Sequence, residues 1–148
     1  MKPLTIDQLT ELNSIYCVVL LKSFKEMTFK KLVLANFIIK YPFKLDRLGF
    51  KLPIEENEKK SIFSKKEIKF NESWDKITLD SLKILIAKEL AIFDDKIKDL
   101  VKKTDLTNKF INSLKKFEEF DNILLRAELI KNILNKTDEK EVVKILNG

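Results

Sequence analysis

The sequence predicts a mainly α-helical single domain with one small β-hairpin. Apolar residues recur at three- and four-residue spacing over most of the 148 positions. Helix-starting residue pairs stand where these stretches begin. Only between about 43 and 72 does helical spacing give way to alternation, with Phe50, Leu52 and Ile54 followed later by Ile68 and Phe70. The length matches one domain, and a chain of this size buries about two thirds of its unfolded surface without disulfide or metal support.

The elements follow in order. Thr5 and Gln8 have capping-box spacing, and Leu9, Leu12, Ile15, Tyr16, Val19 and Leu20 continue a helix over about 6–26. A second helix, about 29–41, is apolar on too many sides for a surface helix and stops at Tyr41-Pro42. The hairpin is expected at about 50–71, with Pro53 restricting its first strand to an edge. Thr78 and Asp80 suit the start of a helix over about 78–93, and a shorter helix is expected at 95–103. Thr107 is the expected cap of a helix over 107–120, whose inner face carries Phe110, Ile111, Leu114, Phe117 and Phe120. Helices over about 122–136 and 138–146 complete the chain, the last opened by Asp138 and Glu141 and ended by Asn147-Gly148.

Composition removes whole classes of chemistry. With no histidine there is no imidazole base, ligand or pH switch, and the only glycines, Gly49 and Gly148, cannot build a phosphate-binding loop. Cys17, the single cysteine, lies in an apolar run and reads as a buried, inert thiol of a reducing cytoplasm. The longest apolar run is too short to span a bilayer, and the first residues do not resemble a signal peptide. Acidic pairs such as Asp94-Asp95 and Glu118-Glu119 fit helix ends better than a metal-dependent nuclease, so neither catalytic residues, metal nor cofactor are expected.

Charge is the strongest remaining signal. Of a net +6, the whole excess lies in one segment, where Lys22, Lys25, Lys30, Lys31, Lys40, Lys44, Arg47 and Lys51 face only Glu26 and Asp46. As a functional feature this would be a phosphate-contacting face with salt-dependent, sequence-blind affinity for duplex DNA; the plainer reading is a solvated, lysine-biased surface. Phe24, Phe29, Phe37, Phe43 and Phe50 interleave with these lysines, and their helical spacing favours core packing over base stacking. The helices around 15–21 and 32–39 carry more apolar surface than a small domain readily hides, so part of it is expected to face a partner. Tyr16, Phe37, Trp74 and Arg126 are the candidate interface residues.

The run Leu12-Asn13-Ser14-Ile15-Tyr16-Cys17-Val18-Val19-Leu20-Leu21, followed by Leu32 to Pro42, resembles the middle components of bacterial ABC three-component systems, including the Lamassu-type defence group. The segment Arg126-Ala127-Glu128-Leu129-Ile130, the turn Thr137-Asp138 and the closing Val142 to Gly148 extend the resemblance to about half of the chain. It implies a winged-helix-like core and a non-catalytic, cytoplasmic adaptor that bridges an SMC-like ABC ATPase and an effector such as a nuclease. The alternative is a stand-alone winged-helix regulator that binds DNA. That reading needs base-edge readers on a surface helix, where this sequence offers mostly lysine.

Overall fold

The computed structural model describes residues 6–54, 69–94, 96, 97 and 99–147. Helix α1 (Ile6–Phe24) leads through Lys25, which takes the left-handed conformation at φ 69°, into strand β1 (Glu26–Thr28) and helix α2 (Phe29–Lys40). A 3-10 segment (Pro42–Leu48) follows, then α3 (Ser73–Ala87), β2 (Ala91–Asp94), β3 (Leu100–Lys103) and α4 (Asp105–Leu114). A short 3-10 turn (Glu118–Phe120), α5 (Asp121–Lys136) and α6 (Glu139–Asn147) complete it. The fold is mainly α with a small antiparallel sheet of order β1-β3-β2. Among the described elements, helix, strand, helix, helix, strand, strand is the winged-helix order.

Helix α1 is central, packed on α2, α3 and α5. Its residues Cys17 to Leu21 are all buried, as are all eight residues from Leu32 to Ile39 in α2. Neighbouring elements therefore surround both helices, and the apolar excess in them is absorbed by the chain's own core rather than left for a partner. Thr28 starts α2 by accepting the Lys31 N–H on its hydroxyl. On α3 the inward residues are Trp74, Thr78, Ser81, Leu82 and Leu85. Asn36 crosses from α2 to donate to the Thr78 hydroxyl at 3.2 Å.

The hairpin lies elsewhere than expected. Most of the anticipated 50–71 hairpin falls outside the described residues, and its described flanks, 50–54 and 69–71, form no strand. The hairpin is instead β2 and β3, where the ends of two helices were expected. Helix α3 begins at Ser73, whose N–H bonds to the Asn71 side chain, and ends at Ala87 rather than 93. Glu89 takes φ 60°, while the Leu90 and Glu89 N–H groups return to the Leu85 and Ile86 carbonyls, a Schellman stop made without glycine. The 95–103 segment is no helix. Asp94 Oδ1 accepts the Lys96 N–H at 2.9 Å, Asp99 adopts φ 58°, and the chain reverses into β3. Val101 is then held between Met27 and Phe93 in one row across the sheet, its side chain fully buried.

Thr107 is not the N-cap of α4. Thr104 is, and Thr107 is its reciprocal partner in a capping box. Helix α4 stops at Leu114, short of the expected 120, and 3-10 bonding takes over to Phe120, which leaves Phe117, expected on the inner face, 54% exposed. Helices α5 and α6 lie within a residue of their expected limits.

Arg126 is fully buried, neither solvent-facing nor an interface anchor. From α5 its Nη1 donates to the Ile39 carbonyl at 2.7 Å and its Nε to the Pro53 carbonyl at 2.9 Å. These charge-assisted bonds tie the end of α2 and the 50–54 stretch to α5. Arg126→Ala should therefore lower stability by about 3–5 kcal/mol, because a cavity and two deprived carbonyls remain. Arg126→Lys should keep the charge yet recover only part of the loss, since an ammonium lacks the planar fork. Urea unfolding measures both.

Candidate functional site

The eight basic candidates do not gather on one face. Lys30 and Lys31 open α2 and Lys40 closes it, about 15 Å further along the axis at 1.5 Å per residue. Lys31 lies 3.7 Å from Glu139, and the Lys40 ammonium sits over the Tyr41 and Trp74 rings at 5.9 and 5.6 Å. Lys22 is half-buried near Glu128. Burial pushes the Glu128 carboxyl up, but hydrogen bonds from Lys131 and Ser23 and the charges of Lys131 and Lys22 outweigh it and hold the group below its ordinary range. Lys44 is half-buried, Lys25 and Lys51 are exposed, and Arg47 lies in the 3-10 segment with its side chain outside the described set.

Nor do the interleaved phenylalanines form a stacking platform. Phe37 is buried, with Tyr41, Phe70 and Trp74 packed around it at ring separations of 5.2, 5.3 and 5.1 Å. Phe24, Phe29, Phe43 and Phe50 rest partly buried against the same core. Among the candidate interface residues Phe37, Trp74 and Arg126 are buried and Tyr16 is half-buried against the core, so these positions offer partners little surface.

Exposed apolar surface collects at another corner. On α3, Leu79 and Ile86 lie two turns apart on one face, 41% and 42% exposed. Beyond the helix, Ile92 and Phe93 of β2 are 53% and 37% exposed, and Leu106 of α4 is 40% exposed. Ile86, Ile92, Phe93 and Leu106 line an open groove of about 620 Å³ together with Ala91, Thr104, Glu89 and Asp105. Among the described residues its only charged lining groups are the two carboxylates. Sequence reasoning missed this surface because Leu90 and Phe93 continue the helical spacing of α3 and so read as core. The adjacent pair Ile92-Phe93, both large and apolar, was the available signal: consecutive strand residues point to opposite faces, so a thin edge cannot bury both.

The walls of this groove are held by side-chain bonds to main-chain carbonyls. The Thr104 hydroxyl donates to the Glu89 carbonyl at 2.6 Å and the Thr107 hydroxyl to the Leu90 carbonyl at 2.7 Å. The capping box of α4 thus clamps the chain where it leaves α3, fixing Ile86 relative to Leu106. At the far end, the N–H of Lys96 holds the Asp94 carboxyl below its usual range against the effect of burial, with Ile97 N–H and the Lys102 charge adding to it. Lys102 bridges Asp94 at 3.5 Å, and Lys103 donates to Asn108.

The groove is lined by apolar side chains and two carboxylates. Cys17, the only thiol, is fully buried, and burial raises it from 9.0 to about 12. No helix among the described residues is long and apolar enough to cross a membrane. Comparison with family models, with curated proteins and with solved structures finds no match for this chain.

Two outcomes follow from these contacts. A thiol reagent should leave Cys17 untouched in the folded protein at pH 8 and label it fully in denaturant. Because the folded thiol holds its proton to about 12 while the unfolded one releases it near 9, stability is fully present below pH 9 and falls as pH rises through that window. Burial raises the Tyr41 phenol in the same sense. Cys17→Val should remove the cysteine part of the slope in alkaline urea titrations. Thr107→Val should cost about 1–3 kcal/mol by thermal unfolding, since it deprives the Leu90 carbonyl and the Thr104 N–H together.

Proposed function

We propose that this chain is a non-catalytic adaptor whose contact surface is the apolar band from Leu79 and Ile86 to Ile92, Phe93 and Leu106. The single observation that carries the reading is the character of α3. In a helix-turn-helix arrangement the second helix presents base-reading side chains, and α3 stands in that place. Its outward residues are Leu79 and Ile86 with Asp75, Lys76, Asp80 and Lys83, whose charges cancel in pairs; Lys76 and Asp80 already bridge at 3.2 Å. A duplex needs basic and hydrogen-bonding groups here, whereas a protein partner needs apolar anchors with a polar rim. The fold's usual reading surface has the composition of a protein interface.

The resemblance to middle components of ABC three-component systems supplies the partner class. The adaptor would join an SMC-like ABC ATPase to an effector such as a nuclease in bacterial defence against phage or plasmid DNA, and it would work in the cytoplasm. Any contact of this chain with DNA would be an auxiliary, non-specific one through scattered lysines. The second reading, a stand-alone DNA-binding regulator, is favoured by the winged-helix order and the net charge of +6.

Light scattering behind a sizing column separates the two, on this chain alone and after co-expression with its immediate gene neighbours. The adaptor forms a stable complex of higher mass. Ile86→Glu with Ile92→Glu should weaken that complex by at least about tenfold, because charge placed in an apolar contact must be desolvated unpaired. Lys30→Glu with Lys31→Glu should leave it intact. A monomer or dimer that ignores its neighbours yet shifts duplex DNA in low salt, and loses the shift in the lysine variant, overturns the adaptor in favour of the regulator.

A further inference from the structure

The lining of the groove narrows the adaptor reading, on which this inference rests, to one kind of partner segment. Much of the main chain around it is already engaged. The Thr104 and Thr107 hydroxyls donate to the Glu89 and Leu90 carbonyls, the Glu89 N–H returns to the Ile86 carbonyl, and the Thr104 N–H bonds to the Thr107 hydroxyl. Ala91 is only 3% exposed, so β2 offers no open main chain there. What remains for a ligand is apolar side chain and the carboxylates of Glu89 and Asp105. Among the described residues no lysine bridges either carboxylate.

Such a lining discriminates among occupants. A small ligand needs converging polar groups to orient it, and these are engaged within the walls. An extended peptide would press part of its own N–H and C=O groups against Ile86, Phe93 and Leu106, which have nothing to bond them. A helix bonds its main chain internally and presents side chains alone. We propose that the groove receives an amphipathic helix of a partner protein, with apolar residues at i, i+3 or i+4 and i+7 over Ile86, Ile92, Phe93 and Leu106 and lysine or arginine on its flanks beside Glu89 and Asp105. Leu79, two turns back along α3, lengthens the contact by about 10 Å, the rise of an i to i+7 pair on the incoming helix. Charge complementarity selects the basic helix. A second copy of this chain fits poorly, because groove meeting groove about a two-fold axis brings four carboxylates and no lining cation into one contact.

The test uses the full chain and a synthetic peptide, acetyl-Lys-Leu-Ala-Gln-Leu-Lys-Ala-Lys-Leu-Ala-Gln-Leu-Lys-Ala-amide, followed by methyl NMR at about 0.15 M salt. The Ile86, Ile92 and Leu106 methyls should shift, while those of Ile97 and Leu125, equally exposed but outside the groove, should not. The same peptide with glutamate for lysine should bind at least about fivefold more weakly. Because the whole molecule carries +6, general attraction favours the acidic peptide, so the opposite preference reports the groove itself. Proline for the central alanine breaks the peptide's helix and should weaken binding at least about tenfold. Glu89→Lys with Asp105→Lys should reverse the preference between the charged peptides; should that variant lose its fold, Glu89→Gln with Asp105→Asn should abolish the preference. No shift of the groove methyls at about 1 mM peptide overturns the proposal, as does equal affinity for the charged peptides, equal affinity for the proline peptide, or a dimer of the chain alone that shifts the same methyls. In the co-expressed complex, binding that survives Glu89→Lys with Asp105→Lys yet falls to Ile86→Glu with Ile92→Glu overturns the basic helix alone. Absence of any complex, with the peptide bound as expected, overturns the adaptor reading alone.

Discussion

A helix with eight consecutive residues out of water must send its last carbonyl groups into protein, and this requirement organises much of the molecule. Helix α2 is that helix. The Tyr41 N–H returns to the Phe37 carbonyl, and Pro42, with no N–H of its own, forces the chain away. The Ile39 carbonyl is then met by the Arg126 guanidinium from α5. A neutral donor could satisfy that oxygen, but the planar fork also reaches the Pro53 carbonyl and so couples three segments distant in sequence. The register of α5 is set by this contact: with Arg126 inward, Ala127, Ile130, Ile133 and Leu134 follow on the buried side.

Burial of α2 from Leu32 to Ile39 limits what that helix can offer a partner. Helices α1 and α2 spend their apolar side chains on one another and on α3 and α5, which leaves little of either for a partner. Of the large apolar residues exposed among those described, Ile86, Ile92, Phe93 and Leu106 gather in the corner where α3 ends, β2 runs and α4 begins, whereas Ile97, Phe117 and Leu125 are exposed outside that groove. That corner is stiff. Thr104 and Thr107 bind the carbonyls of Glu89 and Leu90 and cap α4 with the same hydroxyls, so its groove is fixed by local bonds and would bind with little ordering cost.

How far the sequence was legible follows from the same physics. The mainly helical class, the approximate limits of α1, α2, α5 and α6, the interior placement of Cys17 and the packing of the phenylalanines among the lysines could be read, because each follows from apolar spacing or from a cap. The true hairpin could not. Its boundaries are made by Glu89, Asp94 and Asp99, two of which take positive φ without being glycine, so the punctuation usually relied upon was missing. Phe93 fell in step with Leu82, Ile86 and Leu90 and extended the apparent helix. Arg126 defeated reading for another reason. Among apolar neighbours it looked like a surface residue or an anchor, and only the tertiary approach of Ile39 and Pro53 shows that its partners are main-chain oxygens. The apolar runs of α1 and α2, expected to leave surface for a partner, are instead absorbed by the core.

Net charge and the apolar band work together. A molecule of +6 repels its own copies, and this long-range repulsion opposes association through an exposed apolar edge. Against that background the carboxylates of Glu89 and Asp105 form a local exception beside the groove. Their effect on affinity is small while they remain in water, but they would favour a partner that brings cationic groups to that end of the groove. Selectivity would then come from the combination of apolar anchors filling the groove and cations placed at one end.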